Sequence, residues 1–263
     1  MQIRGSRVLL TGATGGLGHA IARALAMEGA TLVLTGRRAE KLEALAAEVS
    51  GVAVAADLSR REDVERLAAD HADADIVVHN AALPASGPLE SYAVDELDRA
   101  LEVDLRAPIA LTRLLLPAMR ERGRGHVVLI SSMSAKVPTA DASLYAAAKA
   151  GLRGFAQGLR PELAPQGIGV SVVFPGFIRD AGMFADTGVT LPPGVGTNTP
   201  EQVSAAVVRV IARNEAERSV APLGVRATGL VNAIRPGLPA RLAARFGGAR
   251  VGTEMAEAQR GKR

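Results

Sequence analysis

Short apolar segments alternate with segments of helical periodicity through residues 6–175, and this alternation restricts the chain to few folds. Apolar runs of strand length are found at Arg7–Thr11, Thr31–Thr35, Val52–Ala55, Ile76–His79, Val127–Ile130 and Val170–Phe174. Helical spacing is found at Gly16–Glu28, Ala39–Val49, Ser59–His71, Val94–Arg120 and Ser143–Leu163. Strands separated by helices of this length form right-handed βαβ units. The sequence therefore predicts an α/β fold with a parallel sheet and helices on both faces.

One domain is predicted over residues 1–225, because no change of composition interrupts the first 175 residues. Residues 180–199 are rich in Gly, Thr and Pro, which predicts a loop suited to close over a site. A helix that begins at Thr199-Pro200 and an edge strand near Arg218 are predicted to follow. Residues 226–263 are predicted to form an extension, partly helical or disordered, since Pro236 and Pro239 interrupt helices.

The extension after residue 225 is strongly basic. Its acidic residues are Glu254 and Glu257, and its basic residues are Arg226, Arg235, Arg241, Arg245, Arg250, Arg260, Lys262 and Arg263. A solvated tail is the interpretation that we favour. The alternative is a weak contact with an acidic surface, such as a membrane of anionic lipid, or with an anionic substrate.

Composition excludes several classes of function. The chain has no cysteine, so disulfides and thiolate chemistry are excluded. Aromatic residues make up 3% of the chain, too few for a stacking platform, so we predict no nucleic-acid partner. The four histidines show no metal-ligand spacing, which predicts no metal site. Residues 1–6 lack the apolar stretch of a secretory signal and no apolar run approaches the ~20 residues that span a bilayer, so we expect a cytoplasmic protein.

A glycine-rich turn follows the first predicted strand and opens the first predicted helix. It consists of Gly12-Ala13-Thr14-Gly15-Gly16-Leu17-Gly18. Small residues let the backbone approach a pyrophosphate closely, and the helix N-terminus offers free N–H groups and a positive dipole end. The position between strand and helix favours a dinucleotide site over an ordinary glycine-rich loop. The predicted cofactor contacts here are Gly12, Thr14, Gly15, Gly16, Leu17 and Gly18.

Two arginines, Arg37 and Arg38, follow the second predicted strand. No carboxylate occurs between Glu28 and Glu40, whereas an NAD site usually places an Asp or Glu here to hold the ribose hydroxyls. An arginine instead suits the 2′-phosphate of NADP, through charge-assisted and often bidentate bonds. We therefore predict NADP(H) as the cofactor, with NAD(H) as the alternative.

Tyr145 and Lys149 are four residues apart within a segment of helical spacing, so both side chains lie on one face of the predicted helix. An ammonium group beside a phenol favours the phenolate form. Such a tyrosine can donate a proton to a carbonyl oxygen or remove one from an alcohol. Although this spacing is also common on surface helices, we predict that the pair is the catalytic centre and contacts the cofactor.

The glycine spacing T-G-x-x-x-G-x-G, taken with the Tyr-x-x-x-Lys pair, resembles that of the short-chain dehydrogenase/reductase family. The resemblance spans about residues 6–215. It implies a doubly wound Rossmann fold with about seven parallel strands, and hydride transfer between a nicotinamide and a carbonyl or alcohol carbon. It also implies a homodimer or homotetramer built partly from the helices that begin near Val94 and Ser143.

This resemblance assigns roles to further residues. Ser132 lies 13 residues before Tyr145, at the offset of the family's catalytic serine, and would steady the charge on the substrate oxygen. Ser131 and Ser134 remain less favoured alternatives. The resemblance also implies cofactor contacts for Asp57, Leu58, Asn80, Ala81, Ala82, Pro175, Gly176 and Ile178.

Three positions depart from the pattern of the family. Asp104 replaces an Asn that, in the family, fixes a water near the lysine and completes a proton relay. Ionised, Asp104 would stabilise a nearby charged lysine, whereas protonated it would imitate the amide. We hypothesise that Asp104 is catalytic, in the role of that Asn; the alternative is that the helix tolerates it without functional effect. Asp180 replaces a Thr whose hydroxyl donates a hydrogen bond, and Ala82 replaces a Gly.

These residues together predict an enzyme that reduces a ketone or aldehyde to an alcohol with NADPH. An apolar small-molecule substrate is expected from the side chains that follow the sixth strand, namely Phe177, Met183, Phe184, Val189 and Leu191. An NAD-dependent alcohol dehydrogenase is the alternative among enzymes. A non-catalytic NADP-binding sensor or scaffold is the alternative from another class, and only Asp104 and Asp180 support it.

Overall fold

A computed structural model describes residues 1–191, 195–239, 248–259 and 261. At its centre is a seven-stranded parallel sheet with the strand order β3-β2-β1-β4-β5-β6-β7. The strands are β1 (Arg7–Thr11), β2 (Thr31–Gly36), β3 (Val52–Ala55), β4 (Ile76–His79), β5 (Gly125–Ile130), β6 (Ile168–Pro175) and β7 (Glu217–Val220). The described α-helices are α1 (Gly16–Met27), α2 (Ala39–Glu48), α3 (Arg61–Asp70), α4 (Val94–Leu101), α5 (Ala107–Glu121), α6 (Ser143–Leu163), α7 (Pro200–Arg213), α8 (Leu223–Ile234) and α9 (Gly248–Gln259). The predicted doubly wound Rossmann fold is confirmed.

Helices cover both faces of this sheet. Successive strand residues point to opposite faces, so Leu9 and Leu10 of β1 enter different apolar cores. Helices α3, α5 and α6 pack over the core of Leu9, and helices α1, α2 and α7 pack over the core of Leu10. Because both faces are covered, β5 and β6 are buried along their whole length.

The strand order reverses at β1, which lies between β2 and β4. The connections that leave β1 and β4 therefore run to opposite faces of the sheet, and a crevice opens between them at the carboxyl ends of the strands. This is the place where open α/β sheets bind their ligands. The glycine-rich turn, which follows β1, lies at this crevice.

The long helix predicted from Val94 to Arg120 is interrupted shortly before Pro108. Helix α4 ends at Leu101, and a π-helical turn, Glu102–Arg106, joins it to α5. Proline has no N–H to donate to the carbonyl four residues before it, which is that of residue 104. The wider turn is a feature frequent at functional sites, and here it carries Asp104.

The start of α3 corrects one expectation. Helical spacing was predicted to start at Ser59, but α3 begins at Arg61, and its N-cap, Arg60, makes no side-chain cap hydrogen bond. Ser59 instead donates to Oδ1 of Asp57 through both its N–H (3.0 Å) and its hydroxyl (2.8 Å). The hydroxyl of Ser59 thus donates to a local carboxylate and does not accept from an N–H at the start of the helix.

The C-terminal third contains ordered helices. Thr199 caps α7 through a reciprocal capping box with Gln202, as the Thr-Pro start predicted. Helix α8 runs through residues 225 and 226, where the sequence placed a boundary, and ends before Pro236. The remaining expectations for residues 192–194, 240–247, 260 and 262–263 lie outside the described residues. Among the described helices, none is long and apolar enough to cross a membrane.

Candidate active site

A cavity of about 1090 Å³ lies at the carboxyl ends of the strands. Every side chain or backbone segment predicted to contact the cofactor lines it: Gly12, Thr14, Gly15, Gly16, Leu17, Gly18, Arg37, Arg38, Asp57, Leu58, Asn80, Ala81, Ala82, Tyr145, Lys149, Pro175, Gly176 and Ile178. Ser132 also lines the cavity, whereas Asp104 is buried outside its lining. Residues predicted from six separate segments of the chain are therefore brought together in one space.

The glycine turn offers bare backbone to this cavity. Gly12 has a φ of +65°, and a Cβ there would lie 2.6 Å from Cα of Ala81. A Cβ on Gly16 would lie 2.5 Å from Cβ of Ala181, and one on Gly18 would overlap the carbonyl oxygen of Gly12. No side chain can therefore fill the cradle in front of the N-terminus of α1. Such a cradle fits the pyrophosphate of a dinucleotide.

Substitution of Gly18 by Ala is expected to destabilise the protein. The added methyl must displace the backbone of the turn, so we expect a loss of about 1–3 kcal/mol in the free energy of unfolding and weaker NADPH binding. Urea denaturation and fluorescence titration measure the two effects. Gly224→Ala in α8 is the matched control for stability, because a Cβ there meets nothing within 4 Å. Equal stability of the two variants would contradict the close packing of the turn.

Asn80 holds the glycine turn in place. Its Nδ2 donates to the carbonyl oxygens of Thr11 (3.1 Å) and Gly12 (3.0 Å). The hydroxyl of Thr11 accepts from the backbone N–H groups of Asn80 and Ala81, each at 3.1 Å. These bonds tie the end of β4 to the end of β1. Thr11 was not predicted as a site residue. Its position between a buried strand and the glycine turn is the sequence feature that could have indicated this role.

The two arginines after β2 differ in their contacts. Nη2 of Arg38 donates to the carbonyl oxygen (2.7 Å) and the hydroxyl (3.2 Å) of Thr14. Arg37 makes no hydrogen bond or ion pair with any described residue. Although burial opposes it, hydrogen bonds from Ser59, helped by the charge of Arg37, lower the pKa of Asp57 below its ordinary value. Arg38 therefore braces the turn, and the guanidinium of Arg37 is available to an anionic ligand.

Helix α6 presents Tyr145 and Lys149 to the cavity on one face, as their spacing predicted. Nζ of Lys149 lies 5.5 Å from the centroid of the Tyr145 ring and donates to the carbonyl oxygen of Ile130 at 3.4 Å. Lys149 is 2% exposed. The buried ammonium and the phenol therefore line the same part of the cavity. The pair has the arrangement of a proton donor and its electrostatic partner.

The three serines after β5 have different surroundings. The hydroxyl of Ser131 is buried and donates to the carbonyl oxygen of Lys149 at 2.8 Å, so it serves to anchor α6. Ser132 begins the short 3₁₀ turn Met133–Ala135, where its hydroxyl accepts from the N–H of Ser134 at 3.1 Å and lies 3.2 Å from that residue's hydroxyl. Ser132 therefore remains the favoured partner for a substrate oxygen, oriented by Ser134.

Asp104 lies behind Lys149, on the π-helical turn. Its Oδ1 accepts from the N–H of Leu83 at 2.6 Å, and its Oδ2 lies 3.8 Å from Nζ of Lys149. Oδ2 is buried and accepts no hydrogen bond from the described residues. Burial raises the pKa of Asp104 to about 6, although Lys149 and the N–H of Leu83 act in the opposite direction. This carboxylate therefore changes its charge close to physiological pH.

Comparison with known proteins decides the family. The sequence model of the short chain dehydrogenase family matches residues 6–190. The chain belongs to this family. The ketoacyl reductase HetN of a Nostoc species is 38% identical over 224 residues, which are 82% of this chain and 78% of the relative. The dehydrogenase/reductase SDR family protein 7-like of Anopheles gambiae is 30% identical over 247 residues, which are 86% of this chain and 78% of the relative.

Solved structures of short-chain dehydrogenases share the fold. A short-chain dehydrogenase from Sphingobium yanoikuyae in complex with NADPH has a TM-score of 0.78 at 30% identity, covering 89% of this chain and 95% of that one. A short-chain dehydrogenase from Burkholderia cenocepacia in complex with NADP has a TM-score of 0.79 at 27% identity, and the match covers 94% of this chain and 99% of that one. With the family established, the protein is an NAD(P)-dependent oxidoreductase.

The C-terminal helices of this short-chain dehydrogenase form a wall of the cavity that the sequence did not predict. Gly224, Val225 and Thr228 of α8 line it, as do Val251, Gly252, Met255 and Gln259 of α9. The positions 251, 255 and 259 repeat every four residues, which is the signal of one helical face. The apolar residues expected near a substrate also line the cavity at Phe177, Met183, Phe184 and Leu191, but Val189 does not.

Proposed function

We propose that this short-chain dehydrogenase reduces a ketone or aldehyde to an alcohol with NADPH. The observation that carries the proposal is one continuous cavity, which joins the glycine turn and Arg37 at one end to Ser132, Tyr145 and Lys149 at the other. The turn suits a dinucleotide, and the far end holds a proton donor beside a buried ammonium. Neither end requires a metal ion for this chemistry.

The residues act on the carbonyl oxygen. The cofactor, when bound, supplies the hydride that reduces the carbonyl carbon. Tyr145 gives its hydroxyl proton to the oxygen, which becomes the alcohol, and the hydroxyl of Ser132 donates a hydrogen bond to the same oxygen. Lys149 stabilises the phenolate that remains on Tyr145, because its ammonium lies 5.5 Å from the ring in a buried setting.

Asp104 acts through Lys149 and does not line the cavity. Its Oδ1 is fixed by Leu83, so Oδ2 is held facing the ammonium at 3.8 Å. An ionised Asp104 attracts the ammonium of Lys149 and so holds Nζ in position behind Tyr145. Asp104 thus fills the place of the relay Asn in the family, with a group that also titrates.

The choice of NADPH over NADH is proposed to depend on Arg37. Arg37→Ala is expected to weaken NADPH binding by about 10- to 100-fold, the worth of a charge-assisted hydrogen bond, and to leave NADH binding nearly unchanged. Fluorescence titration with both nucleotides measures this difference. Arg213→Ala, which removes an exposed arginine on α7, is the control. An equal effect on both nucleotides would exclude recognition of the 2′-phosphate by Arg37.

The substrate is proposed to be apolar, as in an acyl or other lipid-like carbonyl. The rings of Phe177 and Phe184 are in tilted contact, with centroids 5.0 Å apart, and Met183 and Leu191 line the same cavity. The name of the Nostoc relative, a ketoacyl reductase, agrees with this class. An NADPH-oxidation screen over ketones, aldehydes and acyl substrates tests the function. Stoichiometric NADPH binding without oxidation of any of them would favour a sensor or scaffold, and turnover of alcohols with NAD alone would favour the NAD-dependent alternative.

The protein is also proposed to form a homodimer or homotetramer through the helices that follow Val94 and Ser143. The outward face of α6 is lined by small residues, and a Cβ on Gly154 or Gly158 would meet nothing within this chain. Such a face permits close approach of a second helix. Light scattering of the purified protein measures the state directly.

A further inference from the structure

Helix α8 has two different faces. The inner face lines the cavity through Val225 and Thr228, and Asn232 donates from Nδ2 to the carbonyl oxygen of Lys136 at 2.9 Å. Gly229 lies against Met133, where an added Cβ would be 3.5 Å from Cε. These contacts fix the helix on the body of the protein. The orientation of its other face is therefore determined.

The outer face of α8 is apolar and exposed. Leu223 is 78% exposed, Leu230 is 71% exposed and Ile234 is 80% exposed. Since an α-helix turns about 100° per residue, positions 223, 230 and 234 fall on one line along the helix, with exposed Ala227 and Val231 beside them. Monomeric proteins seldom leave a continuous stripe of large aliphatic side chains in water. The stripe therefore indicates a contact surface.

Positive charge borders this stripe. Arg226 lies beside the stripe by helical position, Arg235 directly follows Ile234 at the C-terminal end of α8, and both are exposed. Neither arginine forms an ion pair with a described residue. Residues 218–253 contain no Asp or Glu, so the local sequence offers no compensating negative charge. An aliphatic stripe flanked by arginines is the pattern of a helix that lies in the interface of an anionic membrane.

We propose that the outer face of α8 docks this protein on the surface of an anionic lipid bilayer. Leu223, Leu230 and Ile234 would enter the headgroup and acyl boundary, while Arg226 and Arg235 would contact lipid phosphates. A symmetric contact between two copies is disfavoured, because it would bring the arginines of both copies together, and residues 218–253 supply no carboxylate to pair with them. The inner face of the docked helix is a wall of the cavity, which places the cavity beside the source of a lipid-like substrate. This last consequence alone rests on the proposed function.

Vesicle flotation with the full chain tests the docking. The protein is expected to float with vesicles of phosphatidylcholine mixed with phosphatidylglycerol and to stay behind with pure phosphatidylcholine. The double variant Leu230→Ser/Ile234→Ser and the double variant Arg226→Ala/Arg235→Ala should each reduce the bound fraction by about tenfold. The matched controls are Met27→Ser, which removes an 86% exposed apolar side chain from α1, and Arg213→Ala on α7.

Three results would overturn the proposal: equal binding to both vesicles, binding to neither, or binding that the α8 variants leave unchanged. A fall in molecular mass with the Leu230→Ser/Ile234→Ser variant, without lipid binding by the wild type, would identify the face as an interface between copies. Oxidation of NADPH with a water-soluble ketone, measured without vesicles, is expected to be unchanged in these variants. Failure of the docking and failure of the proposed reaction are therefore distinguished.

Discussion

With Tyr145 replaced by Phe, reduction of the carbonyl is expected to slow by ~10²–10⁴-fold, the usual contribution of a positioned general acid. The variant lacks only the hydroxyl, so the ring still packs beside Lys149, and NADPH binding should change little. Steady-state NADPH oxidation gives the rate, and fluorescence titration gives the affinity for the cofactor.

The chain supplies its own control for this experiment. Tyr92 is the other tyrosine in the sequence, and it does not line the cavity. Tyr92→Phe removes the same atom without touching the proposed chemistry, so its kcat should stay within a few-fold of wild type. Turnover by Tyr145→Phe at the level of Tyr92→Phe would refute the assignment of Tyr145 as the proton donor.

Replacement of Asp104 by Ala is expected to lower kcat by about 10²-fold, at the low end for a group of the acid–base machinery. The change leaves the ammonium of Lys149 and the N–H of Leu83 buried without the acceptor that both now face. Asp104→Asn keeps an oxygen for Leu83 and the shape of the side chain but not the charge, so it should be more active than Asp104→Ala and show at every pH about the activity that wild type shows when Asp104 is neutral. No loss with Ala would exclude Asp104 from the proton path.

The pH profile separates a titrating role from a structural one. Because the pKa of Asp104 is raised to about 6, the carboxylate is ionised above that pH and neutral below it. Activity that depends on its charge should therefore fall as the pH drops through about 6, and this limb should be missing in Asp104→Asn. A limb at the same pH in both proteins would assign it to another group.

Stability follows the opposite trend for this residue. A carboxyl whose folded-state pKa lies above its ordinary value of 3.8 binds a proton more tightly in the native state. Its contribution to stability is therefore complete below pH 3.8 and is lost as the pH rises through about 6. The stability of Asp104→Asn relative to wild type should be higher at pH 8 than at pH 5, as urea denaturation at the two pH values measures. Asp104 therefore favours activity and opposes stability over the same range of pH.

Much of the fold is readable from local patterns. The strands were predictable because apolar runs such as Ile76–His79 are bounded by turns, and the Tyr145–Lys149 pair because four residues make about one helical turn. The C-terminal wall of the cavity was not predictable from the sequence. Pro236 and Pro239 indicated an end of regular structure, whereas α8 ends before both prolines. Its role as a wall depends on how it folds back over Met133, and no local pattern encodes that contact.

The sequence by itself determined the glycine turn between a strand and a helix and the Tyr145–Lys149 pair, since these follow from spacing along one turn or helix, whereas Ser132 and the doubly wound sheet were implied by the resemblance to the family. Only the tertiary structure decided that Asp104 is buried against Lys149, that the hydroxyl of Ser131 bonds the backbone of α6, and that Arg38 is tied to Thr14 while Arg37 makes no such bond with a described residue. The physical reason is that burial and pairing depend on segments far apart in the chain. Asp104 and Lys149 are 45 positions apart in the chain, and Oδ2 and Nζ come within 3.8 Å only when α6 packs against the π-helical turn.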